Sequence, residues 1–502
     1  MLIKPNTTIG NYSYNMVATS WEAVTDVVLM AIIARYLDLS LFGHYAFVMA
    51  FVASFKVLCG ISLPVIITRE IAVHKERTPQ LLAASLIIQG IMSLFTFFLI
   101  MAIMHLVDHD PLVIRATFFA TLAVIFDFFG LMLVSVARGF ERMEYAAYRI
   151  IIVQTLFLGA TFILVHLAEN RLLPIFVIYL SSHVVGSAYA VYVVFTKFAK
   201  PTGPIDKKLC KYLFLEAFPI AVRRFVRHVN FRIDTILLNF LRGSVAAGLF
   251  HGAYKISQGL MFFGEALVVS VFPVLSRHYV QAKESLDKVY ERSFRFLAIS
   301  GCFLGVILFT FSRELILLAL GRKYLGAENV LRVFGSIIVF MFMAKLAERM
   351  LIVAQKQVLV TVIAVIALVI NVVFDLVLIP RWGIVGASLA TLSAEIVLFV
   401  LGLYYTYKHV SEMPVHRCML KVLFVYTTTC VLITLSDVYL GRVTGFFGGP
   451  AVYVSGILLL RLAPMAELSE IKNRLLKAVR WQTTGHRGGM VGPGTPGTRH
   501  EP

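Results

Sequence analysis

Four polar or ionisable side chains stand four, three and four residues apart in the first apolar stretch: Asn15, Thr19, Glu22 and Asp26. On a helix that spacing puts them on one narrow face. Further along, Arg223, Arg227, Asn230 and Asp234 repeat the pattern at a constant offset of about 208 residues. Pro64 and Pro273 recur at almost the same offset, as do Lys56 and Glu265, which carry opposite charges. Each residue type brings a definite chemistry. Carboxylates such as Glu22, Asp26 and Asp234 can take a proton or a sodium ion, or accept hydrogen bonds from sugar hydroxyls. Arginines present a fork of donors that matches phosphate oxygens, and RRFVRHVNFRID (223–234) places Arg223, Arg224, Arg227 and Arg232 within three turns. A plainer reading stands beside these: the arginines mark a membrane edge and the carboxylates neutralise nearby cations. His183 and His228 read as lone core or interfacial histidines. Asp127, Lys255, Asp375 and Glu395 are further ionisable residues in apolar runs, and Asp375, one turn after Asn371, suits local helix packing.

The elements that must position these residues follow from composition. Of 502 residues, 59% are hydrophobic and only 15% charged, too little polar sequence to coat a soluble core. Apolar windows of spanning length fall at 14–35, 42–67, 80–106, 112–137, 148–167, 174–196, 213–241, 248–275, 293–320, 328–354, 358–380, 383–407, 418–440 and 444–463. The expected fold is therefore an all-α polytopic membrane protein of about fourteen transmembrane helices. The net charge of +18 does not point to nucleic acid. The N-terminus, even-numbered loops and tail hold about 29 Lys and Arg against about 8 in the odd loops, so both termini should be cytoplasmic. Cys59, Cys210, Cys302, Cys418 and Cys430 are scattered and read as packing residues, with no disulfide frame or metal site. No cleavable signal is expected. The chain divides into a cytoplasmic N-terminus (1–13), an N-lobe of six spans (14–196), a basic linker (197–212), a C-lobe of six spans (213–407), two appended spans (418–463) and a tail (464–502). Within the tail, 466–480 reads as a basic amphipathic helix and 484–502 as disordered.

A charge inside a span costs about 2.5–3.5 kcal/mol, so the two stripes must face a hydrated cleft between the repeats. Transporters are built in this way, with the substrate site at the repeat interface. Lys56 and Glu265, at equivalent positions, are expected to meet across that cleft as a gating pair in one state. A membrane enzyme needs a substantial outward loop, and those near Asp108 and Arg322 are too short to build a catalytic site.

Several blocks carry a family resemblance. IARYLDLSLFGHYAF (33–47), GISLPVIITREIA (60–72), the stretch from Phe218 to Ser257, FPVLSRHY (272–279) and above all NVVFDLVLIPRWGIVGASLAT (371–391) resemble polysaccharide-exporting flippases. In the last block Pro380 ends one span, Gly383 and Gly386 permit a tight turn, and Ala387 allows close packing. The resemblance covers about residues 10–463. It implies the multidrug/oligosaccharidyl-lipid/polysaccharide exporter superfamily, with two six-helix bundles around a central cavity lined by spans 1, 2, 7 and 8. It further implies an O-antigen or capsule repeat-unit flippase, in a prokaryotic cytoplasmic membrane, moving polyprenyl-pyrophosphate-linked oligosaccharide by alternating access. On this reading Arg223 and Arg227 hold the pyrophosphate, and Glu22, Asp26 and Asp234 meet sugars or a coupling H+ or Na+. No other cofactor is expected. Partners would be membrane lipids, a polysaccharide polymerase and a chain-length regulator. A cation-coupled multidrug exporter of the same fold would favour an acidic, aromatic cavity, which a basic span 7 does not suit; a lipid II-type flippase ranks lower because its motif pattern is not clear.

Overall fold

The computed structural model describes residues 8–460, apart from 109, 168–170, 203–205, 231, 282, 411–414 and 440–441. The start of the N-terminal segment and the tail helix expected at 466–480 lie outside those residues. The described chain is built from sixteen α-helices: α1 (Thr8–Tyr36), α2 (Leu39–Gly60), α3 (Leu63–Val73), α4 (Thr78–Val107), α5 (Pro111–Gly139), α6 (Met143–Leu167), α7 (Leu172–Lys197), α8 (Lys207–Asn230), α9 (Ile233–Arg242), α10 (Ser244–Gln281), α11 (Lys283–Thr310), α12 (Ser312–Ala319), α13 (Glu328–Val353), α14 (Gln357–His409), α15 (Val415–Tyr439) and α16 (Arg442–Leu459). Eleven segments are long and apolar enough to cross a membrane. The 53-residue α14 counts twice, because Pro380 removes a backbone donor and Gly383, at φ 58°, breaks the helix. With α8–α9 as one interrupted span and α16 as the last, about fourteen crossings result. Large apolar side chains such as Ile91, Phe98, Ile163 and Val369 face outward, an arrangement that suits lipid and not water.

The repeat is visible in backbone detail. The α5–α6 turn passes through Glu141 at φ 61° and the α13–α14 turn through Gln355 at φ 59°, both in the left-handed region. In the first turn Glu141 N–H donates to Arg138 O and Arg142 N–H to Ala137 O, each at 2.9 Å. The second repeats this with Gln355 on Ile352 O and Lys356 on Leu351 O, again at 2.9 Å. Two locally dissimilar sequences thus close the same left-handed turn at corresponding places of the repeat.

The halves are not copies throughout. The N-lobe's second span breaks at Ile61 and Ser62, both left-handed, before Pro64 restarts it as α3; its counterpart α10 runs on through Pro273. Conversely α1 is continuous, whereas α8 stops at Asn230 and α9 starts at Ile233. The first half of α8 also packs away from its own lobe: Leu213, Ala217 and Ala221 share an apolar cluster with Ile66, Ile67, Leu82 and Met132. Arg69 Nη2 donates to Glu216 Oε2 at 3.1 Å and Tyr212 Oη to Glu70 Oε1 at 3.1 Å, fastening α3 to α8 at this end.

At the opposite end α2 crosses α10 at very short range. A Cβ on Gly43 would fall on the Ser244 carbonyl, and one on Gly248 would sit 3.0 Å from Leu39 O. Ser40 Oγ and Ser244 Oγ are 3.0 Å apart. Lys323 donates to the carbonyls of Arg35 and Leu37, and Tyr324 Oη donates to Ala34 O at 2.9 Å, so the C-lobe caps the end of α1.

Candidate functional site

A cavity of about 290 Å³ lies between the lobes, enclosed by α1, α2, α5, α6, α7, α9 and α10. Glu22 and Asp26 enter from α1, as their spacing requires, with Lys56 from α2 and Lys255 from α10. Gln154 Nε2 reaches Asp26 Oδ1 at 3.5 Å. Deeper in the N-lobe, Arg149 is 4% exposed and donates from Nη2 to Asp127 Oδ1 at 2.6 Å and to the Asp127 carbonyl at 2.9 Å. His183 Nδ1 lies 3.3 Å from the same carboxylate oxygen. Gly130 makes this possible, since a Cβ there would overlap the Arg149 guanidinium. Arg149 is therefore spoken for, while Lys56 and Lys255 form no salt bridge among the described residues.

Arg232, from the start of α9, also lines this cavity, with its Nη1 3.4 Å from His228 Nδ1. Arg223 and Asn230 do not. They line a second cavity of about 500 Å³ inside the C-lobe, where Arg223 Nη1 donates to Gln357 Oε1 at 3.4 Å. Arg223 and Asn230, both on α8, keep one face and one cavity; the interruption before α9 turns Asp234 out of it, because four, three and four residues keep one face only on an unbroken helix. The basic stripe is thus split, and Arg232 points into the central cavity in place of Arg223. The side chain of Arg227 lies outside the described residues. On α1 the stripe is shorter than expected. Asn15 and Thr19 are exposed and do not line the cavity; the Thr19 hydroxyl donates to Asn15 O at 2.8 Å.

The expected gating pair is not formed in this structure. Lys56 belongs to the central cavity, whereas Glu265 lines the C-lobe cavity and pairs there with Lys345 and, at 2.9 Å, with Arg349 Nη2. In this state two cations on α13, Lys345 and Arg349, satisfy Glu265 in place of Lys56.

Asp234 occupies a third place. It is buried, and Asn371 Nδ2 donates to its Oδ1 at 3.0 Å. The Asp375 carboxyl lies against it, 0% exposed, and neither of its oxygens has a hydrogen bond within standard geometry. Asp234, Asn371 and Thr391 line a pocket of about 20 Å³, with Glu395 and Tyr254 beside them and no Lys or Arg among its lining residues. Arg149 and Gln154 were missed in the sequence, although an arginine in the apolar run after Tyr148 was a visible signal.

A family model described as polysaccharide biosynthesis protein matches residues 9–279, more than half of the chain. The chain belongs to that family. A second model, MatE, matches residues 219–377. An uncharacterized membrane protein of Methanocaldococcus jannaschii is 21% identical over 358 residues, covering 68% of this chain and 70% of its own. A protein of Haloferax volcanii described as a probable low-salt glycan biosynthesis flippase is 24% identical over 296 residues, covering 58% of this chain and 61% of its own. Among solved structures, a lipid II flippase in an inward closed conformation superposes with a TM-score of 0.70 at 15% identity, over 89% of this chain and 98% of that one. An inward-facing multidrug transporter of the same superfamily gives 0.66 at 14% identity, over 77% and 95%. The family member is thus a flippase-type membrane transporter of the multidrug/oligosaccharidyl-lipid/polysaccharide exporter superfamily. Family and fold are those of transporters and not of catalysts.

Proposed function

We propose that the protein flips a polyprenyl-pyrophosphate-linked oligosaccharide across a prokaryotic cytoplasmic membrane by alternating access, for surface polysaccharide synthesis. One observation carries the reading: Lys56, Arg232 and Lys255, from three helices, converge on a single inter-lobe cavity. With Arg149 and Asp127 neutralising each other, three cations remain there against Glu22 and Asp26. An anionic guest restores the balance, and a pyrophosphate diester offers the oxygens these donors need. Glu22, Asp26, Gln154 and Gln258 present acceptors and amides for sugar hydroxyls, and Tyr45 and Tyr179 present rings for sugar faces. Such a site favours an acidic lipid headgroup over the cationic drugs of a multidrug exporter. The polyprenyl tail would remain in lipid between the lobes.

Energy for the cycle would come from an ion at Asp234 and Asp375. Two carboxyls buried side by side, with no Lys or Arg lining the pocket beside Asp234, need two positive charges to be neutral, as two protons or as one proton and a monovalent cation. Asn371 and Thr391 supply further oxygens for it.

The test is complementation of a bacterial host lacking its own repeat-unit flippase. Wild-type protein should restore surface polysaccharide, Lys56→Ala with Lys255→Ala should abolish it at equal protein level, and Lys56→Arg should keep it. Arg223→Ala should be milder, since Arg223 lies outside the cavity. Unchanged polysaccharide in the double variant would remove the headgroup role. A parallel host lacking its lipid II flippase separates that substrate, which shares the pyrophosphate. Rescue of that host alone would replace the glycan assignment.

A further inference from the structure

The buried carboxylate pair has an approach of its own. Its pocket of about 20 Å³, room for a single water, shares Asn230, Met341 and Glu395 with the C-lobe cavity and only Tyr254 with the central one. Glu395 is 6% exposed, lines both C-lobe spaces, and forms no hydrogen bond or ion pair among the described residues. Lys345 and Glu348 of α13 are the charged groups facing it, and Lys345 is engaged by Glu265. Asn230 Oδ1 is buried without a partner at the same junction. The C-lobe cavity extends to Ile352 near the end of α13 and to Gln357 at the start of α14. It therefore reaches the α13–α14 turn, on the side that the charge pattern assigns to the cytoplasm.

We propose that the coupling ion exchanges with that side through the C-lobe cavity, by way of Glu395 and Asn230, and not through the cavity that holds the headgroup. This rests on the coupling reading of Asp234 and Asp375 given above. A carboxylate whose nearest cation, Lys345, is engaged by Glu265 lowers the cost of passing a cation or proton beside the arginines and lysine of this cavity, and an amide oxygen beside it offers the next step. Tyr254 stands between the ion pocket and the central cavity. Separate routes let the ion leave while the glycan is still seated, which a shared cavity would obstruct.

The full chain in lipid nanodiscs allows the test, with radiolabelled sodium and a pH-jump with a proton-sensitive dye as separate probes. Asp375→Asn should lose uptake of the ion that binds. Glu395→Gln should keep the bound amount but slow exchange about tenfold, and Glu395→Asp should recover most of the rate. In a cysteine-free background, Thr361→Cys, in the C-lobe cavity, should slow exchange when a bulky thiol reagent is attached; Gln258→Cys, in the central cavity, should not. Block at position 258 with free exchange at 361, or wild-type exchange in Glu395→Gln, would overturn the route while leaving the ion site standing. If the wild type takes up neither ion, or Asp375→Asn takes up as much as wild type, the coupling reading falls and the route with it.

Discussion

Cations inside this bundle are of two kinds, and removing them should have opposite consequences. Arg149 is fixed by Asp127 and is almost fully buried, so its loss leaves the Asp127 carboxylate on the cavity wall with only His183 beside it. Arg149→Met should destabilise the protein by about 3–5 kcal/mol, read as a lower unfolding temperature in detergent, and adding Asp127→Leu should recover much of it. Lys56 and Lys255 have no such partner. Lys56→Met and Lys255→Met should leave the unfolding temperature unchanged or raise it while abolishing retention of a pyrophosphate lipid on the purified protein. A fall as large as that of Arg149→Met would show that these lysines are structural. Residue types in apolar runs were readable from the sequence as costly and hence purposeful. Partnership was not: Arg149 and Asp127 are a span apart, and nothing in their local spacing pairs them. Similarly, Glu265 was expected opposite Lys56, but Lys345 and Arg349 on a third helix are nearer.

Helix continuity decides what a spacing means. On the unbroken α1 the pattern brings Glu22 and Asp26 to one wall of the cavity; across the α8–α9 interruption the same pattern sends Arg223, Asn230 and Asp234 to two other places. The corner at Pro380 and Gly383 was legible because those residues have few alternatives: one removes a donor and the other adopts a positive φ. Gly383→Val should therefore cost about 1–2 kcal/mol in stability, and much less cost would mean that the turn relaxes. The α2–α10 crossing makes a sharper prediction about movement. With their hydroxyls 3.0 Å apart, Ser40→Cys and Ser244→Cys should form a disulfide on oxidation. The crosslink should stop transport until a reductant is added, because the alternating access proposed above requires this end to open. Transport at full rate through the crosslinked protein would rule out opening at this crossing. Bulk at Gly43, as in Gly43→Leu, should push the two helices apart and raise labelling of cavity cysteines from that side.

Across the whole molecule, the orientation expected from the asymmetry of Lys and Arg would put the α3–α8 contacts on the cytoplasmic side and the α2–α10 crossing outside. A fluorescent protein fused after Leu460 should therefore fluoresce, and alkaline phosphatase at the same point should be inactive; active phosphatase would invert the orientation and every sidedness argued here. Span number, the twofold repeat and the presence of intramembrane charge were all determined by the sequence alone, because each depends on local length, periodicity or composition against the cost of putting a polar group in lipid. Only the tertiary structure decided that the ionisable residues separate into a basic chamber between the lobes, a salt-bridged chamber within the C-lobe and a buried carboxylate pair beside it. Which ionisable side chains meet a counter-charge and which share a cavity depends on helices far away in sequence.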